Sequence, residues 1–185
     1  MWGSVEIYGI SIEKRWWGDV IQPEDDNKKR EILLKMCDEI ENITNIIYHD
    51  SESIASAVSE LREKVEALRV VSYGEYVYAE HHNAFIDILR DVVNILLDMF
   101  GNIESVIEIS DKVSSLGRLG FGDIVSSELH NTIVDILYTI ANLLETLISK
   151  GLQVEDNIVV KPKNELILSD NITINLYYPP PPPPK

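Results

Sequence analysis

The spacing of apolar residues changes twice along this 185-residue chain, and the two changes leave room for one broad architecture. Near the start it is two: Val5, Ile7, then, after a slip at Gly9, Ile10 and Ile12. From about Asp26 to about Lys150 apolar residues stand three and four apart. Beyond Gly151 the short period returns in Ile158–Val160, in Leu166–Leu168, and in Ile172, Ile174 and Leu176, which alternate with Thr173 and Asn175. Side chains leave a strand on alternate faces and recur on one helix face every 3.6 residues, so these patterns read as strand, helix, strand. The expected fold is mainly α: an antiparallel helical bundle with short β segments at both termini. The expected division is a β arm over 1–22, a bundle over 23–151, a β segment over 152–178 and a polyproline tail over 179–185.

Within the middle region, Asp25 or Asp26 is placed to cap a helix whose stripe is Leu33, Met36, Cys37, Ile40, Ile43 and Ile47. Asp50-Ser51-Glu52 restarts the pattern with Ile54, Val58, Leu61, Val65 and Leu68. A break is expected near Gly74 and another at Gly101-Asn102, with Phe85, Leu89, Val92, Leu96, Met99 and Ile103 between them. Val106, Ile109 and Val113 follow. The glycine-rich stretch 117–122 separates them from a last helix capped by Asp123, with Leu129, Ile133, Ile136, Ile140, Leu143 and Leu147 on its stripe and Gly151 after its end. The first strand is read as a single strand with a bulge at Gly9, free to pair with the C-terminal strands or with a neighbouring subunit. Ile158–Val160 and Leu166–Leu168 are read as a hairpin. No convincing internal repeat is read in the chain.

Composition narrows the functions. The formal net charge is −15, which disfavours binding a phosphate backbone; its plain reading is solubility, and the acid-rich stretch from Val71 to Leu116 offers an acidic face to a basic partner as the alternative. One cysteine, Cys37, allows no intrachain disulfide and reads as a small buried hydrophobe. The first residues lack a basic and an apolar region of the secretory kind, and acids and asparagines interrupt the apolar segments, so neither a signal peptide nor a membrane span is expected. The expected location is cytoplasmic or virion-associated. Scarce glutamine with abundant Ile, Val and Glu points to a thermophile, while the many asparagines point away from one.

Catalytic and metal patterns fail their spacing rules. A di-iron bundle needs Glu-x-x-His on two helices, and none of His49, His81, His82 or His130 follows a glutamate at that distance. His82 falls on an apolar stripe and reads as a buried, hydrogen-bonded core histidine. Gly117, Gly120 and Gly122 invert the order of a dinucleotide fingerprint, and no P-loop or nucleophile elbow occurs. Asn42-Ile43-Thr44 and Asn171-Ile172-Thr173 match the glycosylation sequon. No catalytic, cofactor or metal residue is therefore expected.

What remains is contact chemistry. Trp2, Trp16 and Trp17 crowd the start, and Tyr177 and Tyr178 precede six prolines, Pro179 to Pro184, and Lys185. Adjacent tryptophans on a strand point to opposite faces, so one core cannot bury both, and tryptophan suits an interface anchor. The proline run has no N–H and a fixed φ, which dictates a polyproline II rod. Trp16, Trp17, Tyr177, Tyr178, Pro179 and Pro184 are the expected interface residues. The chain is expected to be a non-enzymatic structural or assembly protein that self-associates or docks in a larger particle such as a virion. A helical-bundle metal protein or enzyme, and an adaptor whose proline tail a partner domain reads, are the rival expectations.

Overall fold

The computed structural model describes residues 3–17, 19, 21–47, 52–73, 77–101, 103–151, 164–168 and 172–176. Among them are five helices and two two-stranded antiparallel sheets, so the mainly α expectation holds. The order is β1 (Ser4–Ile7), β2 (Ile10–Glu13), α1 (Pro23–Ile47), α2 (Glu52–Ala67), α3 (Ala79–Phe100), α4 (Glu104–Ser114), α5 (Ser127–Gly151), β3 (Asn164–Leu168) and β4 (Ile172–Leu176).

The first segment is two strands, not one bulged strand. Tyr8 and Gly9 both have positive φ (52° and 74°), the backbone of a two-residue hairpin turn, and Ile7 pairs with Ile10. Lys35 Nζ donates to the Tyr8 carbonyl at 2.9 Å and holds the turn on α1. Ile7, Ile10 and Ile12 are buried in the common core, so residues 4–13 are a packed part of the bundle rather than a projecting arm. Burial raises the pKa of the Tyr8 phenol, and Glu39 and Glu145 raise it further. At the other end β3 pairs with β4, from Asn164 opposite Leu176 to Leu168 opposite Ile172. The two sheets do not pair with each other, and the expected partner strand Ile158–Val160 lies outside the described residues.

Helix boundaries follow local chemistry. α1 begins at Pro23, whose missing N–H costs nothing at a first helical position, and Asp25 sits inside the first turn, accepting from Gln22 N–H at 3.0 Å. α3 stops at Gly101, whose φ of 63° suits glycine and whose N–H closes on Leu97 O at 2.8 Å. Asp123 does not cap α5; Ser126 does, its Oγ accepting from Leu129 N–H at 3.1 Å. Gly151 is the last residue of α5 rather than the one beyond it. Gly74 itself lies outside the described residues, but α2 ends at Ala67 and α3 starts at Ala79, so the chain breaks there.

α1, α3 and α5 run parallel. α2 packs between α1 and α3 and α4 between α3 and α5, whereas α1 and α5 meet directly and the β1–β2 hairpin covers their seam, with β2 on α1 and β1 on α5. The ring encloses one core in which Met36, Cys37, Ile40, Leu89, Leu96, Ile136 and Ile140 are wholly buried. Burial pushes the Cys37 thiol up to about 11, so it packs as a neutral hydrophobe. α5 corrects one expectation: over Ser127–Ser149 it is long and apolar enough to cross a membrane, with mean hydropathy 1.4. Half of that window is buried inside the bundle, as a central core helix requires. The sequon at Asn42 lies in α1, with Ile43 and Thr44 buried. Asn171 lies outside the described residues.

Candidate functional site at the crown of the bundle

The three parallel helices begin alike. Each carries glutamate at its second position (Glu24, Glu80, Glu128) and asparagine at its fifth (Asn27, Asn83, Asn131). Their fourth positions are Asp26, His82 and His130. Further on, an acid precedes Ile-Leu in each: Glu31-Ile32-Leu33, Asp87-Ile88-Leu89 and Asp135-Ile136-Leu137. Ahead of each helix, at one fixed distance, stands an aromatic-Gly-acid triplet: Trp17-Gly18-Asp19, Tyr73-Gly74-Glu75 and Phe121-Gly122-Asp123. The chain therefore contains one unit three times, which corrects the expectation of no internal repeat; the unit is written in polar residues and glycine that the apolar pattern does not register. The copies are unevenly spaced because α1 and α2, with 25 and 16 residues, are both longer than α3 and α4, with 22 and 11.

Hydrogen bonds explain the asparagine. Asn27 Nδ2 donates to the Val71 carbonyl at 2.8 Å, and its Oδ1 accepts from Val71 N–H at 3.0 Å. Asn83 clasps Leu119 in the same two ways, both at 2.9 Å. Asn131 clasps Arg15, both at 2.8 Å. A carboxamide presents donor and acceptor side by side, as a strand edge does; aspartate has no donor for the role. Each asparagine thus grips the segment that leads into another long helix, and the third grips the segment that leads into the first. Ion pairs repeat beside two clasps, Arg118 with Asp87 at 3.0 Å and Lys14 with Asp135 at 2.5 Å. Val70 takes the basic position in the remaining unit.

At Phe121 and at Trp17 the triplet is held in a turn, while Gly74 and Glu75 lie outside the described residues. Asp123 N–H donates to Gly120 O at 3.2 Å, and Gly122 has φ of 86°, as the third residue of a type II turn must. The Asp123 carboxylate accepts from Gly120 N–H at 2.6 Å and locks the turn. The same two bonds recur at Asp19, to Trp16 O at 3.0 Å and from Trp16 N–H at 2.7 Å. In all three triplets the aromatic side chain faces outward: Trp17 is 95% exposed, Tyr73 87% and Phe121 102%. The turn requires the glycine and uses the acid, but nothing in it requires an aromatic ring. Trp16, Tyr78 and Ile124 are also exposed on these connections. We refer to this end of the bundle as the crown.

Beneath the crown lies a polar cluster inside the core. Asp25, Asp26, Lys29, His82 and His130 are all buried. Lys29 Nζ donates to Asp26 Oδ1 at 2.6 Å and lies 5.9 Å from the centre of the Phe85 ring, which also meets His81 edge-on. Asp25 Oδ2 accepts from Arg15 Nε at 3.0 Å and Nη2 at 2.6 Å. The Glu13 carbonyl can only accept, so His130 Nε2 donates to it at 3.0 Å, leaving Nδ1 buried with no partner. His82 Nε2 is likewise buried and unpartnered, against the expectation of a hydrogen-bonded core histidine. Burial, then the nearby Lys29 charge, lowers both imidazoles to about 4, so both are neutral at pH 7.

That shift sets a pH dependence. Between the ordinary imidazole range and about 4 the unfolded chain takes up protons at these sites and the folded chain does not, so stability falls as pH falls. The loss is expected to be on the order of 2 kcal/mol per imidazole at about pH 5. Urea midpoints at pH 7 and 5 check it; the drop should shrink in His82→Gln combined with His130→Gln, and an equal drop would assign it to carboxylates.

Of the expected interface residues, Trp17 stands at a crown tip and Trp16 beside it, 54% exposed and just after β2 rather than within it. Tyr177, Tyr178, Pro179 and Pro184 lie outside the described residues, as do Trp2 and His49. Tyr73 and Phe121 were missed, although the aromatic-Gly-acid triplet was readable. Among the described residues no group of three or more His, Cys, Asp or Glu side chains is arranged to hold a metal ion. A cleft of about 290 Å³ between α1 and α2 is lined by Glu41, Thr44 and Arg62, and there Arg62 pairs with Glu41 at 2.9 Å. Compared with protein-family models, curated proteins and solved structures, the chain matches none of them.

Proposed function

We propose that this chain is a non-enzymatic assembly protein that self-associates through its crown, as a component of a larger particle. The observation that carries this reading is the threefold presentation of an exposed aromatic ring, on Trp17, Tyr73 and Phe121, at one fixed distance ahead of the three long helices. An aromatic side chain buries roughly 150–250 Å² at a contact, so three rings supply about 600 Å² of the roughly 800 Å² per partner in a standard interface. Flanking Trp16, Tyr78 and Ile124 extend the area, and the Asp19 and Asp123 tethers hold the Trp17 and Phe121 turns, which limits the entropy lost on docking.

Light scattering across a concentration series tests the proposal. The chain should exceed monomer mass, and Trp17→Ser, Tyr73→Ser and Phe121→Ser together should return it to monomer with unchanged helical circular dichroism. A chain that stays monomeric throughout, or a triple variant that associates as before, defeats the reading.

A further inference from the structure

We propose that the β1–β2 hairpin is an acid-operated latch: a proton on His130 releases residues 4–15 from the α1–α5 seam while the helices stay folded. This stands apart from any role of the crown in association.

His130 sits at the fastening point. It is fully buried on α5, and its Nε2 donates to the Glu13 carbonyl, at the end of β2, at 3.0 Å. From the same helix Asn131 clasps Arg15 at 2.8 Å and Asp135 pairs with Lys14. On α1, Lys35 holds the Tyr8 carbonyl and Asp25 holds Arg15.

The groups around His130 leave no place for a charge on it. Lys29, Asp25 and Asp26 face it from α1, and His82 from α3. Arg15 pairs with Asp25 and Lys29 with Asp26, each at 2.6 Å, so these two cations and two anions balance without it. The Glu13 carboxylate is largely exposed and pairs with Arg15 at 3.2 Å. His130 Nδ1 is buried without a partner, so a proton there adds an unmatched positive charge and a donor with no acceptor. Water relieves both, and residues 13–15 are the segment that His130 and Asn131 hold over the site.

The hairpin is the element able to lift. Its two strands pair with each other and with no other described strand. α1 and α5 meet directly beneath it, so the helices keep their own contact once it leaves. Burial of Ile7, Ile10 and Ile12 opposes release, a small apolar face of the kind found at the low-stability end of a fold. Closed, burial and the Lys29 charge hold the His130 imidazole down at about 4; lifted, it returns to the ordinary range. The lifted form therefore binds the proton more tightly, and opening should become about 20-fold more favourable between pH 7 and pH 5.

Hydrogen exchange of the full chain at the two pH values, corrected for intrinsic rates, tests the proposal. Amides of residues 5–13 should be less protected than those of residues 89–96 and should lose protection by that factor on acidification. His82→Gln should keep the loss, because lifting the hairpin leaves His82 in place, and His130→Gln should abolish it. In the unaltered chain, equal protection of the hairpin and α3 amides would mean that the hairpin opens only with the whole fold, and no loss at pH 5 would mean that acid does not open it; either overturns the proposal without a variant. A loss that persists in His130→Gln assigns the proton to a carboxylate, and one that vanishes in His82→Gln assigns it to His82; both overturn it as well.

Discussion

Replacing Lys29 with Met should lower the unfolding free energy by about 3–5 kcal/mol. Lys29 is 1% exposed and Asp26, with which it pairs, is 5% exposed, so the substitution leaves a carboxylate sealed in the core with its cation gone. The gross attraction of a buried pair is largely cancelled by desolvation of both ions, so the penalty comes from the stranded charge rather than from the lost contact. Removing both ions together, Lys29→Met with Asp26→Leu, should recover most of the loss. Urea unfolding of the two variants separates these cases. A single variant as stable as the parent would mean that Asp26 reaches water or is held by another partner.

The second large effect belongs to the purely apolar core. Leu96→Ala should cost about 2–5 kcal/mol, because Leu96 is fully buried on the inner stripe of α3, one turn before the helix ends. Ile136 and Ile140 occupy equally buried positions on α5, and truncating either should fall in the same range. The measure is again the denaturation midpoint at unchanged m-value. A negligible loss for Leu96→Ala would show that the site closes over the missing methyls.

The helical middle of the fold was legible because period and burial agree: nearly every described residue of the expected stripes, from Leu33 to Leu147, is buried, with Ile54 and Leu129 partly so. The ends were less so. A slip at Gly9 fits a bulge or a turn equally well from spacing alone, and positive φ at Tyr8 decided for the turn. Asp123 has the composition of a helix cap, yet its carboxylate locks a turn four residues ahead of α5, a distinction that depends on which N–H is nearest. The crown was half legible. Tryptophan content drew attention to Trp16 and Trp17, but Tyr73 and Phe121 gain meaning only as the same position of a repeated unit. That unit is written in Gly, Asn and acids, which set turns and clasps and leave no mark on hydrophobic periodicity. The buried ion pair was not legible, because Lys29 sits in a run of charged residues that reads as a solvated helix start.

The third asparagine clasp has a kinetic consequence. Asn131 holds Arg15 across 116 positions of sequence, whereas Asn27 and Asn83 reach 44 and 36. During synthesis the first two grips can close as the chain emerges, but the ring cannot shut until α5 exists to receive the segment that left the ribosome first. Until then the hairpin Ser4–Glu13 has one of its two supporting helices and the seam it covers lies open. Closure of that longest loop is the step on which the core becomes complete, and the rate at which it closes decides how long apolar surface stays exposed to neighbouring chains.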